Sequence, residues 1–160
     1  HTRLQGDWSS DVCSSDLDPR GTGAETAMRS ALEDAGVAAN EVSYINLHGT
    51  GTPPNDKMEA EAVQRVFGRP RCSSTKPLTG HLLGASGATE AAICAACLME
   101  DKERIAFPPH YWDGISDPAL PELDFVRPGD SVARERRLLC MSNSFAFGGS
   151  NAVVVIGEAV

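Results

Sequence analysis

The sequence predicts an α/β fold in which helices flank a mixed β-sheet. Two observations favour this class. Apolar residues recur at helical spacing in three segments, and short apolar runs follow or separate those segments. Loops rich in glycine follow the predicted strands, and in open α/β sheets such loops bind ligands at the carboxyl ends of the strands. The element order is therefore predicted as α, β, α, β, α, β, β.

The elements follow from local signals. A first helix is predicted over residues 21–35, stopped by Gly36, and a strand over 42–47. Asp56 is expected to cap a second helix that ends at Gly68. The remaining predicted elements are a short strand at 71–75, an alanine-rich helix at about 84–100, and two central strands at 138–141 and 152–156. Residues 107–130 are rich in proline and are expected to form an irregular surface excursion.

Charge and hydropathy exclude several classes of function. The 160 residues carry a net charge of −8 with a pI of about 4.9, which argues against nucleic acid and anionic membranes as partners. No apolar run reaches the roughly 18 residues of a membrane span, and no signal peptide is recognised. The five cysteines lack metal or disulfide spacing, so a cytoplasmic location is expected.

The first seventeen residues differ from the remainder. Residues 1–17 show no helical or strand period and resemble a translated sequencing adapter, so they are interpreted as a non-native leader. The expected domain is 18–160, in a chain truncated at its start.

Three loops concentrate residues that can carry chemistry. His48 lies in one glycine-rich loop, Lys76 and His81 lie in a second, and a third spans 143–151. Glycine lets the backbone approach a ligand, and a neutral imidazole donates one hydrogen bond to a developing oxyanion. Such a set suits the formation of an enolate or a tetrahedral oxyanion. No metal-binding or nucleotide-binding spacing is present, and a structural role for a lone histidine remains the alternative.

These loops carry a specific resemblance. The strings His48-Gly49-Thr50-Gly51-Thr52-Pro53, Ser74-Thr75-Lys76-Pro77-Leu78-Thr79-Gly80-His81 and Asn143-Ser144-Phe145-Ala146-Phe147-Gly148-Gly149-Ser150-Asn151 resemble the C-terminal signatures of β-ketoacyl-acyl-carrier-protein synthases. The order and approximate spacing also match. The resemblance covers the chain from about Asp18 and implies the C-terminal half of a thiolase-like fold.

The resemblance implies a decarboxylative Claisen condensation and assigns roles by position. His48 and His81 would bond the thioester carbonyl of malonyl-acyl carrier protein as it becomes an enolate. Lys76 would support the site, with Glu59 as its expected buried partner. The remaining implied residues are Thr50 and Thr52, which would bind the phosphopantetheine arm, and Phe147, which would gate the site and place its backbone N–H in the oxyanion hole.

The resemblance implies no metal or soluble cofactor, because phosphopantetheine arrives on the acyl carrier protein. The full-length protein would form a homodimer or a heterodimer. The nucleophilic cysteine of the family is expected to be missing: Cys13 imitates its motif but lies only 35 positions before His48, where the family has well over a hundred. The fragment alone is therefore expected to be inactive.

Three alternatives stay open at this point. Residues 108–121 resemble synthases of the aryl-polyene type more than housekeeping fatty-acid enzymes. A chain-length-factor-like, non-catalytic partner subunit is a second possibility, and a ketosynthase domain of a polyketide synthase is a third. His110 lies outside the motifs and is expected at the surface.

Overall fold

The structure, a computed structural model, describes residues 18–100, 102–145 and 149–158. Its helices are α1 (Thr22–Ala35), α2 (Pro53–Phe67), α3 (Lys76–Thr79) and α4 (Ser86–Met99), with single 3₁₀ turns at Ala39–Glu41 and Leu83–Ala85. Its strands are β1 (Tyr44–Asn46), β2 (Arg71–Ser73), β3 (Arg104–Ile105), β4 (Asp124–Phe125), β5 (Val132–Ala133), β6 (Leu139–Phe145) and β7 (Asn151–Gly157).

Five strands form one sheet in the order β4-β2-β1-β6-β7. The first four are mutually parallel, and β7 runs antiparallel to β6. The predicted α/β class with a mixed sheet is confirmed. Because parallel strands end at one edge of the sheet, the loops that follow β1 and β2 meet there, as does the end of β6.

The sheet is covered on both faces, and side-chain alternation divides the core into two clusters. Ile45 and Met141 face α1 and α2, while their neighbours Tyr44 and Cys140 face α4. The first cluster includes Met28, and all five of these side chains are inaccessible to solvent. The short strands between the helices are thus fixed by burial on both faces, as expected of parallel strands.

Several element predictions needed correction. Helix α2 begins at Pro53, three residues before the predicted cap Asp56, because proline is well suited to the first helical turn. The terminal strand β7 lies at the edge of the described sheet and not at its centre. Its half-buried residues alternate with exposed ones along most of its length, as they do in an edge strand covered on one side.

The prediction that 107–130 is only a surface excursion was wrong. Phe107, Leu123 and Val126 are buried, and β4 pairs with β2 at the edge of the main sheet. Apolar residues spaced by prolines and without a regular period gave no helix or strand signal, yet Leu123 joins the first core cluster, and Phe107 and Val126 join the second. Within the described residues, no helix combines the length and hydropathy needed to cross a membrane.

Candidate functional site

The two histidines of the predicted site lie side by side at the carboxyl edge of the sheet. The ring centroids of His48 and His81 are 5.6 Å apart, and the rings are nearly perpendicular. His48 follows β1 and is buried, whereas His81 follows α3 and is exposed. Phe145, at the end of β6, packs edge-on against His48 with 5.9 Å between the ring centroids. Three segments that are distant in sequence therefore converge on one imidazole pair.

Lys76 lies behind this pair, but its partner is Glu90 and not the expected Glu59. The Lys76 ammonium donates to Oε1 of Glu90 at 2.5 Å, and both side chains are buried. The same ammonium lies 3.5 Å from Nδ1 of His48. Burial raises the pKa of Glu90, and the hydrogen bond from Lys76 opposes that rise. The expected ion pair thus exists with a different acid, one that the sequence analysis missed.

A signal for Glu90 was present in the sequence. It is the only charged residue in α4, whose other thirteen residues are small or apolar. A lone carboxyl group in such a helix is buried at a large cost unless it finds a cation. Reading that exception, rather than only the apolar periodicity, would have predicted that this acid is buried beside a cation.

Glu59 instead holds the loop that carries His48. Its Oε1 accepts the backbone N–H of His48 at 2.8 Å, and its Oε2 accepts that of Gly49 at 2.7 Å. Asn143 on β6 donates to Oε1 from 3.1 Å. Burial raises the pKa of Glu59, while these N–H donors favour the ionised form. The carboxylate therefore joins α2, β6 and the first turn of the His48 loop.

The surroundings of His48 keep its imidazole neutral. Burial lowers the pKa of His48 to about 3, and the nearby charges of Lys76 and His81 act in the same direction. The pKa of His81 is also lowered, by partial burial and then by Lys76. Two neutral imidazoles can each donate one N–H to an oxygen that becomes negative.

The contact with Lys76 also selects the tautomer of His48. Nδ1 of His48 faces the Lys76 ammonium, which can only donate, so His48 carries its proton on Nε2. Nδ1 of His81 lies 3.1 Å from the Ser86 hydroxyl, a suitable donor to that nitrogen. With its Nδ1 so occupied, His48 has its Nε2–H as an available donor, and His81 gains the same donor when Ser86 donates to its Nδ1.

The other predicted site residues are placed as follows. The hydroxyls of Thr50 and Thr52 lie 3.0 Å apart on the exposed side of the His48 loop. Phe147 lies outside the described residues, as does Cys13. Within the described part of the chain, no group of three or more histidine, cysteine or acidic side chains is arranged to hold a metal ion.

The described cysteines are unsuited to nucleophilic attack. Cys72, Cys94 and Cys140 are fully buried, and Cys97 is half-buried. Burial raises the pKa of Cys72, and it raises that of Cys97 to about 11. A hydrogen bond with Cys94, together with burial, raises the pKa of Cys140. The thiolate, which is the reactive form, is therefore disfavoured at Cys72, Cys97 and Cys140.

Comparison with known sequences identifies the family of this chain. Residues 8–106 match the family described as β-ketoacyl synthase, C-terminal domain. The chain is 42% identical to 3-oxoacyl-[acyl-carrier-protein] synthase 2 of Coxiella burnetii, over 88% of this chain and 33% of the relative. It is 44% identical to nodulation protein E of Rhizobium sp. strain N33, over 89% and 35%. The chain thus spans about a third of the length of these curated relatives.

Comparison with solved structures identifies the fold. A ketosynthase (ApeO) in complex with its chain length factor (ApeC) from Xenorhabdus doucetiae matches with a TM-score of 0.76 and 43% identity, covering 88% of this chain and 34% of that one. A β-ketoacyl synthase from Burkholderia phymatum matches with a TM-score of 0.75 and 38% identity, covering 91% and 34%. The predicted thiolase-like fold is confirmed, and the chain belongs to the β-ketoacyl synthase family, of which it carries the C-terminal domain.

Proposed function

We propose that this chain forms the enolate-generating part of the active site of a β-ketoacyl-acyl-carrier-protein synthase. The observation that carries the proposal is the neutral His48–His81 pair, with Nε2–H of His48 available and Lys76 behind it. Retention of all three groups favours a catalytic chain over a non-catalytic chain-length-factor-like subunit.

The proposed reaction proceeds in two steps. The thioester oxygen of a malonyl group accepts hydrogen bonds from Nε2–H of His48 and His81. The bond from Cα to the carboxylate breaks, carbon dioxide leaves, and the electron pair forms an enolate whose oxygen the imidazoles stabilise. The enolate carbon then attacks an acyl thioester, forming the new carbon–carbon bond and releasing the thiolate of the acylated cysteine.

The lowered pKa of His48 suits this first step. A protonated imidazole would offer the same Nε2–H donor, but it would lose the acceptor at Nδ1 that faces Lys76. Lys76 supplies positive charge without transferring its proton, because Glu90 holds it in an ion pair. The enolate is thus stabilised by fixed donors and not by a full proton transfer.

We propose that none of this chain's cysteines is the acylated cysteine of this reaction, since the described thiols are held in the core and Cys13 lies only 35 positions before His48. We accordingly propose that this chain by itself does not condense an acyl with a malonyl thioester. The malonyl group arrives on the phosphopantetheine arm of an acyl carrier protein, which Thr50 and Thr52 bind and Phe147 admits. No other cofactor is needed for the chemistry.

We further propose that the complete enzyme is a cytoplasmic homodimer or heterodimer. The buried free thiols suit a reducing compartment. Its pathway is fatty-acid or polyketide synthesis, and the similarity to the Xenorhabdus doucetiae ketosynthase favours a ketosynthase paired with a chain length factor.

The proposal is tested by a chimera. Residues 18–160 replace the aligned segment of the Coxiella burnetii synthase, and the product is assayed for release of carbon dioxide from malonyl-acyl carrier protein and for condensation. We expect both activities. Substitution of His48 or His81 by alanine should lower decarboxylation about 100-fold or more, because each removes a donor to the enolate oxygen.

Lys57, an exposed lysine of α2, supplies the matched control for Lys76. Lys76→Ala should lower decarboxylation about 10-fold or more by loss of a charge near the oxyanion, whereas Lys57→Ala should leave it unchanged. A folded chimera that lacks decarboxylation, or one whose rate is insensitive to His48 and His81, contradicts the proposal.

A further inference from the structure

His110 is the fourth histidine of the chain, and the expectation that it lies at the surface was wrong. It is half-buried in the proline-rich segment and its ring stacks on Phe125 of β4, with 4.2 Å between centroids and 13° between planes. Trp112 packs against the other rings of this group. The backbone N–H of His110 donates to the carbonyl of Val126 at 2.8 Å. Backbone and ring are therefore both fixed.

The Nδ1 edge of this imidazole is directed at the start of the Lys76 loop. The backbone N–H of Ser74 donates to Nδ1 of His110 at 3.1 Å. One residue earlier, the Ser73 hydroxyl donates to the carbonyl of Pro108 at 2.7 Å. These two hydrogen bonds attach residues 108–110 to the end of β2, and one of them ends on a histidine nitrogen.

Ser74, which contacts His110, is also bonded to the loops that carry His48 and Lys76. Its hydroxyl donates to the carbonyl of Gly49 at 2.8 Å, next to His48, and accepts the backbone N–H of Lys76 at 3.3 Å. The approach is close: a Cβ on Gly49 would lie 2.6 Å from Cβ of Ser74. A displacement of Ser74 therefore affects both loops, and the His48 loop has no room for a closer approach.

A buried backbone N–H without a partner is costly, and Ser74 is buried. His110 can accept this N–H only while Nδ1 is unprotonated, which places its proton on Nε2. Burial lowers the pKa of His110, so the accepting form prevails at neutral pH. Aromatic stacking alone would not require a histidine at this position, since phenylalanine stacks equally well.

We infer that His110 is a positioning residue, whose Nδ1 fixes Ser74 and, through it, the loops that carry His48 and Lys76. It touches neither of these residues itself. For its effect on rate the inference rests on the proposed function, whereas its effect on Ser74 does not.

Three substitutions separate the role of the hydrogen-bond acceptor at Nδ1 from the role of ring stacking. His110→Asn places Oδ1 where Nδ1 stood and keeps the acceptor. His110→Gln offers the same amide one bond too far along the side chain. His110→Phe keeps the stacking on Phe125 and has no acceptor. Only the asparagine variant should preserve the contact with Ser74.

The first measurement uses the 160-residue chain with ¹⁵N-labelled serine and histidine. In the native chain we expect the Ser74 amide to be protected from hydrogen exchange, with an unprotonated Nδ1 signal for His110. Protection should fall about 10-fold or more in the phenylalanine and glutamine variants, and remain in the asparagine variant. An unprotected Ser74 amide in the native chain, or equal protection in the phenylalanine variant, overturns the inference.

The second measurement uses decarboxylation by the chimera. The glutamine and phenylalanine variants should lower kcat about 10-fold with KM nearly unchanged, and the asparagine variant should stay within about 3-fold of the native rate. Equal rates in all three variants, or an asparagine variant as slow as the phenylalanine one, overturn the positioning role. A chimera without native activity refutes the proposed function instead, and the exchange measurement still decides the role of His110.

Discussion

At the residue scale, two buried carboxylates organise the site, and each holds a different part of it. Glu90 neutralises Lys76, and Glu59 holds the backbone of His48 and Gly49. Both acids are buried on opposite sides of the sheet's carboxyl edge, on α4 and α2. The Lys76–Glu90 ion pair is costly to disrupt, because the partner that remains keeps its charge in a poorly solvated place.

The ion pair gives a first prediction. Glu90→Gln should lower the free energy of unfolding by about 3 kcal/mol, because it leaves the Lys76 ammonium buried without a counter-ion. Lys76→Met together with Glu90→Gln should recover part of that loss. Urea unfolding monitored by circular dichroism measures both values. Glu61→Gln on α2, which removes a half-buried acid with no assigned partner, is the control, and an equal loss in Glu90→Gln and the control would contradict the assignment.

His48 gives a second prediction, in the dependence of stability on pH. Its pKa is about 3 in the folded chain and near 6.5 in the unfolded chain. Between these values the unfolded chain binds more protons, so the contribution of His48 is complete above pH 6.5 and is lost as the pH falls toward 3. Replacement by asparagine should therefore reduce the stability lost between pH 7 and pH 5 by about 1–2 kcal/mol.

That reduction is measured by urea unfolding at the two pH values. His81→Asn is the matched comparison, because His81 is exposed and should change the pH dependence less. If His48→Asn loses as much stability on acidification as the native chain, the imidazole is not kept neutral by burial.

At the element scale, signals along the chain located the long elements better than the short ones. Helix α1 starts within one residue of its predicted start and ends where expected, because apolar spacing and Gly36 mark it locally. The short strand β4 was not predicted. Two residues cannot show a period, and only the pairing of Asp124 and Phe125 with β2 makes them a strand.

Helix α1 gives a third prediction, from the glycines that flank it. Gly21 and Gly36 both have positive φ, +66° and +64°, so an alanine at either position costs about 1 kcal/mol of strain. At Gly21 a Cβ would also lie 2.9 Å from the carbonyl oxygen of Met58 on α2, whereas at Gly36 nothing lies within 4 Å.

Gly21→Ala should therefore cost about 1–3 kcal/mol more than Gly36→Ala, because α1 must move away from α2. Thermal unfolding of the two variants at equal concentration measures the difference. Equal costs would show that the contact between Gly21 and Met58 tolerates a methyl group.

At the scale of the whole molecule, two core clusters share a single sheet. Cys72 belongs to the cluster under α1 and α2, and Cys140 belongs to the one under α4. Because β1 lies between their strands and contributes side chains to both clusters, we expect the two cores to unfold together.

Thiol alkylation gives the corresponding fourth prediction. Cys72 and Cys140 should be unreactive in the native chain and should become reactive at the same urea concentration, since both depend on the same opening. Mass spectrometry of the digested chain resolves each thiol, and Cys97, which is half-buried, serves as the comparison. Separate midpoints for Cys72 and Cys140 would show that one face opens before the other.

The sequence by itself determined the fold class, and its motifs predicted three site loops and the residues His48, His81 and Lys76. These depend on local signals, namely periodicity, glycine and proline punctuation, and motifs that remain contiguous along the chain. Tertiary structure alone decided that Lys76 pairs with Glu90, that Glu59 holds the His48 loop, and that His110 contacts Ser74. Each of these contacts joins residues at least ten positions apart, and which partner a buried charge or N–H finds depends on how the elements pack, which no local pattern encodes.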